Sequence, residues 1–150
     1  MCPAIASGTD GMALPVDNRA GPYCGVTAVA IAAGVSFECA WGALSTAHGV
    51  TQPCWPWKGT ASRLTCGIAL EYLGVKHREI PLTKKRMTLV RFVYDRAVPG
   101  KRYLVFTTRH AQIVRDSLVV DQQGSAHIAA HGGRSKFVTD IIEIEEKACP

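Results

Sequence analysis

The sequence predicts an α+β domain, with helices in the first half of the chain and an antiparallel sheet in the second. Three observations carry this. Apolar residues recur at three- and four-residue steps as far as Tyr94, whereas beyond Pro99-Gly100 the pattern alternates with period two. The two patterns are segregated rather than interleaved, which argues against strand–helix–strand units and a parallel sheet. The chain has 150 residues, 47% hydrophobic and 19% charged, enough for one hydrophobic core and too apolar for a disordered segment.

Residues 1–16 are small and aperiodic and read as an extended leader; one domain is expected over 17–150. Gly21-Pro22 marks a turn, and CGVTAVAIAA from Cys24 to Ala33 follows with no charge, so a helix buried nearly all round is expected, stopped by Gly34. Ser36 can cap a second helix to about Ala47, with an apolar stripe of Phe37, Ala40, Trp41 and Leu44 and Gly49 beyond it. GVTQPCWPWKG, residues 49–59, is a loop with two prolines and two tryptophans. Thr60 can cap a third helix with Leu64, Ile68, Leu70 and Leu73 inside and Gly74 at its end. A strand at His77 to Ile80 and a fourth helix at Met87 to Tyr94 follow. Strands are then expected at Tyr103 to Thr107, His110 to Arg115 and Leu118 to Asp121, with further strand material at Ile128 and Phe137 to Ile144. HGGRS, residues 131–135, is a loop.

Composition excludes several function classes. No run of about 18 uncharged apolar residues offers a membrane span, and the first residues carry neither a basic region nor a continuous apolar stretch, so a cytoplasmic setting is expected. A net charge of +5 with dispersed basic residues argues against nucleic acid as the partner; Lys84-Lys85-Arg86 reads as a solvated run. The six cysteines, at 2, 24, 39, 54, 66 and 149, form no CxxC pair. Cys54, Cys66 and His77 match no ligand spacing, so no metal or cofactor is expected and the thiols are expected to be mostly free, with Cys39 and Cys66 in the core.

Cys24 is the exception. It stands at the start of a helix, where partial positive charge and unpaired N–H groups stabilise a thiolate. Asn18, six residues earlier, offers an amide that can join the Cys24 N–H in holding an oxyanion, and Gly25 leaves room for a substrate backbone. In the second half, a two-residue turn at Asp116-Ser117 sets Arg115 opposite Leu118 and Gln112 opposite Asp121. His110 and Asp121 are then diagonal neighbours on one sheet face, roughly 7–8 Å apart at the backbone, a gap that their side chains span. Nucleophile, base and orienter are thus Cys24, His110 and Asp121. His127 and His131 are alternative bases, and His131, beside two glycines, can line the cleft. Trp55 and Trp57 either cover a core edge or form a substrate-facing wall.

With these residues in hand, the chain resembles the papain-like cysteine peptidase superfamily, over roughly residues 17 to 123. The nucleophile text is NRAGPYCG, residues 18–25, and the base text is YLVFTTRHAQIVRDSLVVD, residues 103–121. It is most similar to small papain-like proteins of bacteriophages and bacteria, through YCGVTAVAIAAG, GTASRLTCGIALEYLG and RHAQIVRDSLVVD. Asn18 stands where that superfamily typically has Gln, Tyr23 where Asp is frequent before the cysteine, and Ser117 where the turn usually has Gly. The resemblance implies N-terminal helices, with the catalytic cysteine at a buried helix start, packed on a C-terminal sheet. It also implies a thiol hydrolase that acts on a peptide or isopeptide bond of a protein or peptide substrate. Acyl transfer of the transglutaminase kind on the same triad, and a catalytically silent phage-encoded binding or anti-defence protein, remain open alternatives.

Overall fold

The computed structural model describes residues 11–82 and 86–146. Within them the chain forms four α-helices and a six-stranded antiparallel sheet. The helices are α1 (Cys24–Ala33), α2 (Phe37–Thr51), α3 (Arg63–Tyr72) and α4 (Leu89–Asp95). The strands are β1 (His77–Ile80), β2 (Arg102–Thr107), β3 (His110–Arg115), β4 (Leu118–Asp121), β5 (Gly124–His127) and β6 (Val138–Ile144). Their spatial order is β1-β6-β2-β3-β4-β5. Consecutive strands β2 to β5 are joined as hairpins, which keeps the segment that carries His110 and Asp121 local in sequence and in space.

The expected α+β class holds, with one difference in layering. Helices α1, α2 and α3 pack on one face through Val26, Phe37, Leu44 and Leu70 against Leu104, Phe106, Ala111 and Ile113. Helix α4 lies on the other face, where Leu89, Phe92 and Val93 meet Val105, Val114, Val119 and Ile128. The sheet is therefore covered on both faces. This explains why β2 is buried at every position instead of alternating.

Helix α1 is central. Gly25 to Ala32 are all buried, as an uncharged helix requires. Its Val, Thr and Ile cost a few tenths of a kcal/mol each in helix propensity. Burial of Val26, Val29 and Ile31 returns about 1.5–3 kcal/mol each, so packing decides the conformation. Gly34 ends it in the left-handed region (φ 66°), its N–H returning to Ala30 and Ile31. The guanidinium of the buried Arg102 donates to the Ile31 and Ala32 carbonyls and ties this C-terminus to β2.

Several boundaries differ from the expectation. Helix α2 runs through Gly49 to Thr51, whose hydroxyl donates to the carbonyls of Ala47 and His48; an exposed helical glycine costs only about 1 kcal/mol. Helix α3 is capped by Ser62, not Thr60, because the Thr60 carbonyl is taken by Trp57 Nε1 at 2.6 Å. Leu64, expected inside, is 54% exposed. Helix α4 starts at Leu89 behind its cap Thr88. Ile128 does not extend a strand: β5 occupies Gly124–His127, and Ile128 opens a 3-10 turn with its side chain fully buried. Of the segment read as a leader, Met12 packs into the core and the Gly11 carbonyl accepts from Arg102. Residues 1–10, like Lys84 and Lys85 of the basic run, lie outside the described residues.

Candidate active site

Helices α2, α3 and α4 begin with a Ser or Thr whose hydroxyl accepts from a first-turn N–H. Helix α1 begins behind Tyr23, which provides no such bond, and its first turn holds no acidic residue. Among the described helices it is the one that starts without a side-chain cap. Cys24 is its first residue. The Tyr23 ring is used for packing: it stands edge-on to Trp41 at 5.4 Å and to Phe37 at 6.0 Å.

The segment leading into Cys24 is held on three sides. Asp17 accepts from the Phe37 and Glu38 N–H groups at the start of α2, and these bonds lower its carboxyl pKa against the opposing effect of burial. Asn18 accepts from the buried Thr27 hydroxyl at 2.6 Å and donates to the Gln122 carbonyl at 2.9 Å. Gln122 in turn donates its side-chain amide to the carbonyls of Arg19 and Gly21, 2.7 Å each. The turn after β4 thus clasps the strap that positions the cysteine.

The other half comes from the hairpins. β3 and β4 pair Arg115 with Leu118 and Ile113 with Val120, the register expected from the two-residue turn. Continued by one step, it sets Gln112 opposite Asp121 and makes His110 and Asp121 diagonal on one face. His110 Nε2 lies 2.9 Å from Asp121 Oδ2. The ring also hydrogen-bonds the Cys24 thiol, for which its Nδ1 is the nitrogen left. Pairing between β3 and β4 stops before Ala111, and the Ala111 N–H, with no strand partner on that side, donates to the Cys24 sulfur.

The electrostatics follow from this geometry. Burial opposes the Cys24 thiolate. The hydrogen bond from His110, the N–H groups of Ala111 and Gly25 and the charge of His110 outweigh it, so the thiol pKa falls below its usual 9.0. His110 is pushed up from 6.5 to about 9 by its bond to Asp121, then by Cys24, against burial. For Asp121, burial pushes upward, but the bonds from His110, His131 and the Gln123 N–H hold the carboxyl far below the usual range. The thiol is thus shifted down and the imidazole up, each in the direction that favours thiolate beside imidazolium.

A second histidine meets the same carboxylate. His131 Nε2 is 3.1 Å from Asp121 Oδ2, and its Nδ1 accepts from the Gly133 N–H at 3.1 Å. A pocket of about 390 Å³ opens beside these groups, lined by His110, Asp121, Ser125, His131, Gly133 and Lys136 among others. The ligand atoms of His110, Asp121 and His131 all lie within 4.8 Å of one another, the spacing of a metal set. The Gly133 N–H argues against that use. It occupies the Nδ1 lone pair, so the ring proton of neutral His131 sits on Nε2 and no lone pair there faces a cation.

The remaining expected residues fall out as follows. Asn18 serves as a clasp: its Oδ1 accepts from Thr27 and one of its two amide N–H groups goes to the Gln122 carbonyl, which leaves one N–H. Gly25 does not leave room for substrate. It is buried, and a Cβ there lies 2.9 Å from that of Ala61, so the missing side chain serves close packing. Trp57 covers a core edge, 4.4 Å from the Trp41 ring, while Trp55 is 70% exposed on the loop. Cys39, expected as a free core thiol, is disulfide-bonded; Cys2 and Cys149 lie outside the described residues. Cys66 is fully buried and free, its thiol pushed up by burial, and Cys54 is exposed and free. His127 is exposed and caps the 3-10 turn. Sequence reasoning missed Thr27, Ala111 and Gln122, whose roles depend on contacts between distant segments. No single described helix is long and apolar enough to cross a membrane. Searches against protein-family models, curated proteins and solved structures find no match to this chain.

Proposed function

We propose that the chain is a thiol hydrolase of the papain-like kind, cleaving a peptide or isopeptide bond. One observation supports this above the rest: a single imidazole stands between a thiol at an uncapped helix start and a buried carboxylate, each within hydrogen-bond reach. Cys24 thiolate attacks the acyl carbon. The carbonyl oxygen becomes an oxyanion beside the Cys24 N–H and the second Asn18 amide N–H. His110 Nδ1–H protonates the leaving amine, the C–N bond breaks, and a thioester remains. Water then adds to the thioester and gives its proton to His110; the C–S bond breaks, releasing a carboxylic acid and restoring the thiolate–imidazolium pair. Asp121 holds the ring throughout.

The test is iodoacetamide labelling against pH with site-by-site mass spectrometry. Cys24 is expected to label at pH 6 more than about tenfold faster than exposed Cys54, and His110→Ala is expected to abolish that difference. Cys24→Ala is expected to remove peptide-bond cleavage while unfolding at an unchanged midpoint. Equal rates at Cys24 and Cys54 in the wild type, or cleavage by pure Cys24→Ala protein, refutes the reading.

A further inference from the structure

We propose that His131 is a positioning residue for the thiol chemistry, the fourth member of a relay Cys24–His110–Asp121–His131; this rests on the reading of the site above. Two imidazoles converge on one carboxylate oxygen, at 2.9 and 3.1 Å, and they are not equivalent. His110 faces the thiol. His131 is buried on the far side of Asp121, with its Nδ1 committed to the Gly133 N–H. That bond fixes the ring orientation and places the proton on Nε2, where it donates to Asp121 Oδ2. The Gly132-Gly133 turn supplies this donor at close quarters: a Cβ at Gly133 lies 3.0 Å from the His131 ring. The carboxylate is thereby held from behind by a neutral donor and from below by the Gln123 N–H, leaving His110 as the cation it faces.

Two effects oppose each other when this donor is lost. Oδ2 becomes a stronger acceptor for His110, but it also loses its tether and its cover. The pocket decides between them. About 390 Å³ of space already adjoins Asp121 and His110 and has room for several waters. Removing the imidazole extends it to the ion pair, where water at high dielectric weakens the attraction several-fold. Among the described residues, the charged and titratable groups facing the pair are Cys24 from α1 and Lys136 from the loop after His131, with Gly124, Ser125 and Ala126 from β5.

The experiment reads the wild-type protein first. Long-range ¹H–¹⁵N NMR is expected to show neutral His131 as the Nε2–H tautomer; an Nδ1–H ring overturns the proposal. His110 is then titrated by NMR, and Cys24 labelled with iodoacetamide at pH 6, in wild type, His131→Ala and His131→Gln. For His131→Ala the His110 midpoint is expected to fall from about 9 toward 6.5, with Cys24 labelling slowed about tenfold, the equivalent of one pKa unit. His131→Gln retains a side-chain N–H and is expected to recover most of both. A His110 midpoint unmoved in His131→Ala, with only a lowered unfolding temperature, means that His131 merely fills space and overturns the proposal alone. A wild type without fast labelling at pH 6 overturns this proposal and the hydrolase reading together. If His131→Ala does not fold, the tautomer and the Gln variant still decide.

Discussion

Replacing Asp121 by Asn removes the charge and turns one of its two accepting oxygens into an NH2 donor, and the charge part of the loss depends on pH. The carboxylate has a side-chain exposure of 10% and lies 2.9 Å from His110 Nε2, itself at 22%. His110 is raised from 6.5 to about 9, first by this bond and then by Cys24. That rise corresponds to about 3 kcal/mol favouring the charged ring, and the bond to Asp121 is its largest cause. A histidine with a raised pKa in the folded protein stabilises the fold fully below its unfolded value of 6.5, and this contribution disappears as pH rises through 9. Asp121, depressed when folded, contributes above the ordinary carboxylate value of 3.8 and loses its contribution as pH falls through its folded value. The two windows overlap between about pH 4 and 6.5. The loss of stability in Asp121→Asn is therefore expected to be larger at pH 6 than at pH 10 by about 1–3 kcal/mol in urea unfolding, the remainder at pH 10 reflecting the disrupted hydrogen bonds. An equal loss at both values refutes the ion pair and reduces Asp121 to a packing or hydrogen-bonding residue.

Two further perturbations test how the cysteine is held. Gly59 sits at φ +93°, and a Cβ there lies 2.6 Å from the Tyr23 ring; Gly59→Ala is expected to cost about 1–3 kcal/mol in urea unfolding and to slow Cys24 labelling, because Tyr23 directly precedes Cys24. Full stability with unchanged labelling contradicts that linkage. Gln122→Ala deletes both side-chain bonds to Arg19 and Gly21 but keeps the backbone carbonyl that holds Asn18. Amide hydrogen exchange is expected to quicken over 18–23 and to stay unchanged in β3, an outcome that fails if exchange rises uniformly.

How much of this was legible depended on the range of the contacts. The hairpin from His110 to Asp121 was readable because a two-residue turn and a two-residue period leave one register, and the diagonal neighbours follow without knowledge of the rest of the fold. Helix α1 was readable to the residue, since Gly21-Pro22 precedes Cys24 and Gly34 follows Ala33. The capping of α3 was not: Thr60 and Ser62 are equally good caps in isolation, and the Trp57 indole, which binds the Thr60 carbonyl, decides between them. Gly25 suggested an open approach to substrate, yet the same missing side chain admits Ala61, and sequence does not distinguish two uses of one absence. Gln122 reaches carbonyls more than a hundred residues away, and local pattern carries no trace of such a bond. His131 was marked as a possible base; its link to Asp121 rather than to the thiol follows from the path of the loop after Ile128.

The site also explains an inconsistency in how the helices are written. Ser36, Ser62 and Thr88 cap α2, α3 and α4, each cap contributing about 1 kcal/mol. Helix α1, the most buried of the four, forgoes that contribution. Its start is instead stabilised from outside: the strap is pinned by Asp17, Asn18 and Gln122, and the Tyr23 ring is packed on Trp41. A hydroxyl at position 23 directed at a first-turn N–H competes with the Cys24 sulfur and with any oxyanion for the same donors. Withholding the cap keeps the Gly25 N–H on the sulfur, and the end of β4 frees the Ala111 N–H for the same atom. Two backbone donors and one imidazole therefore converge on a thiol whose burial alone pushes its pKa up. The local rule is broken where three distant segments meet, and the donors left to the Cys24 sulfur are the physical consequence of that departure.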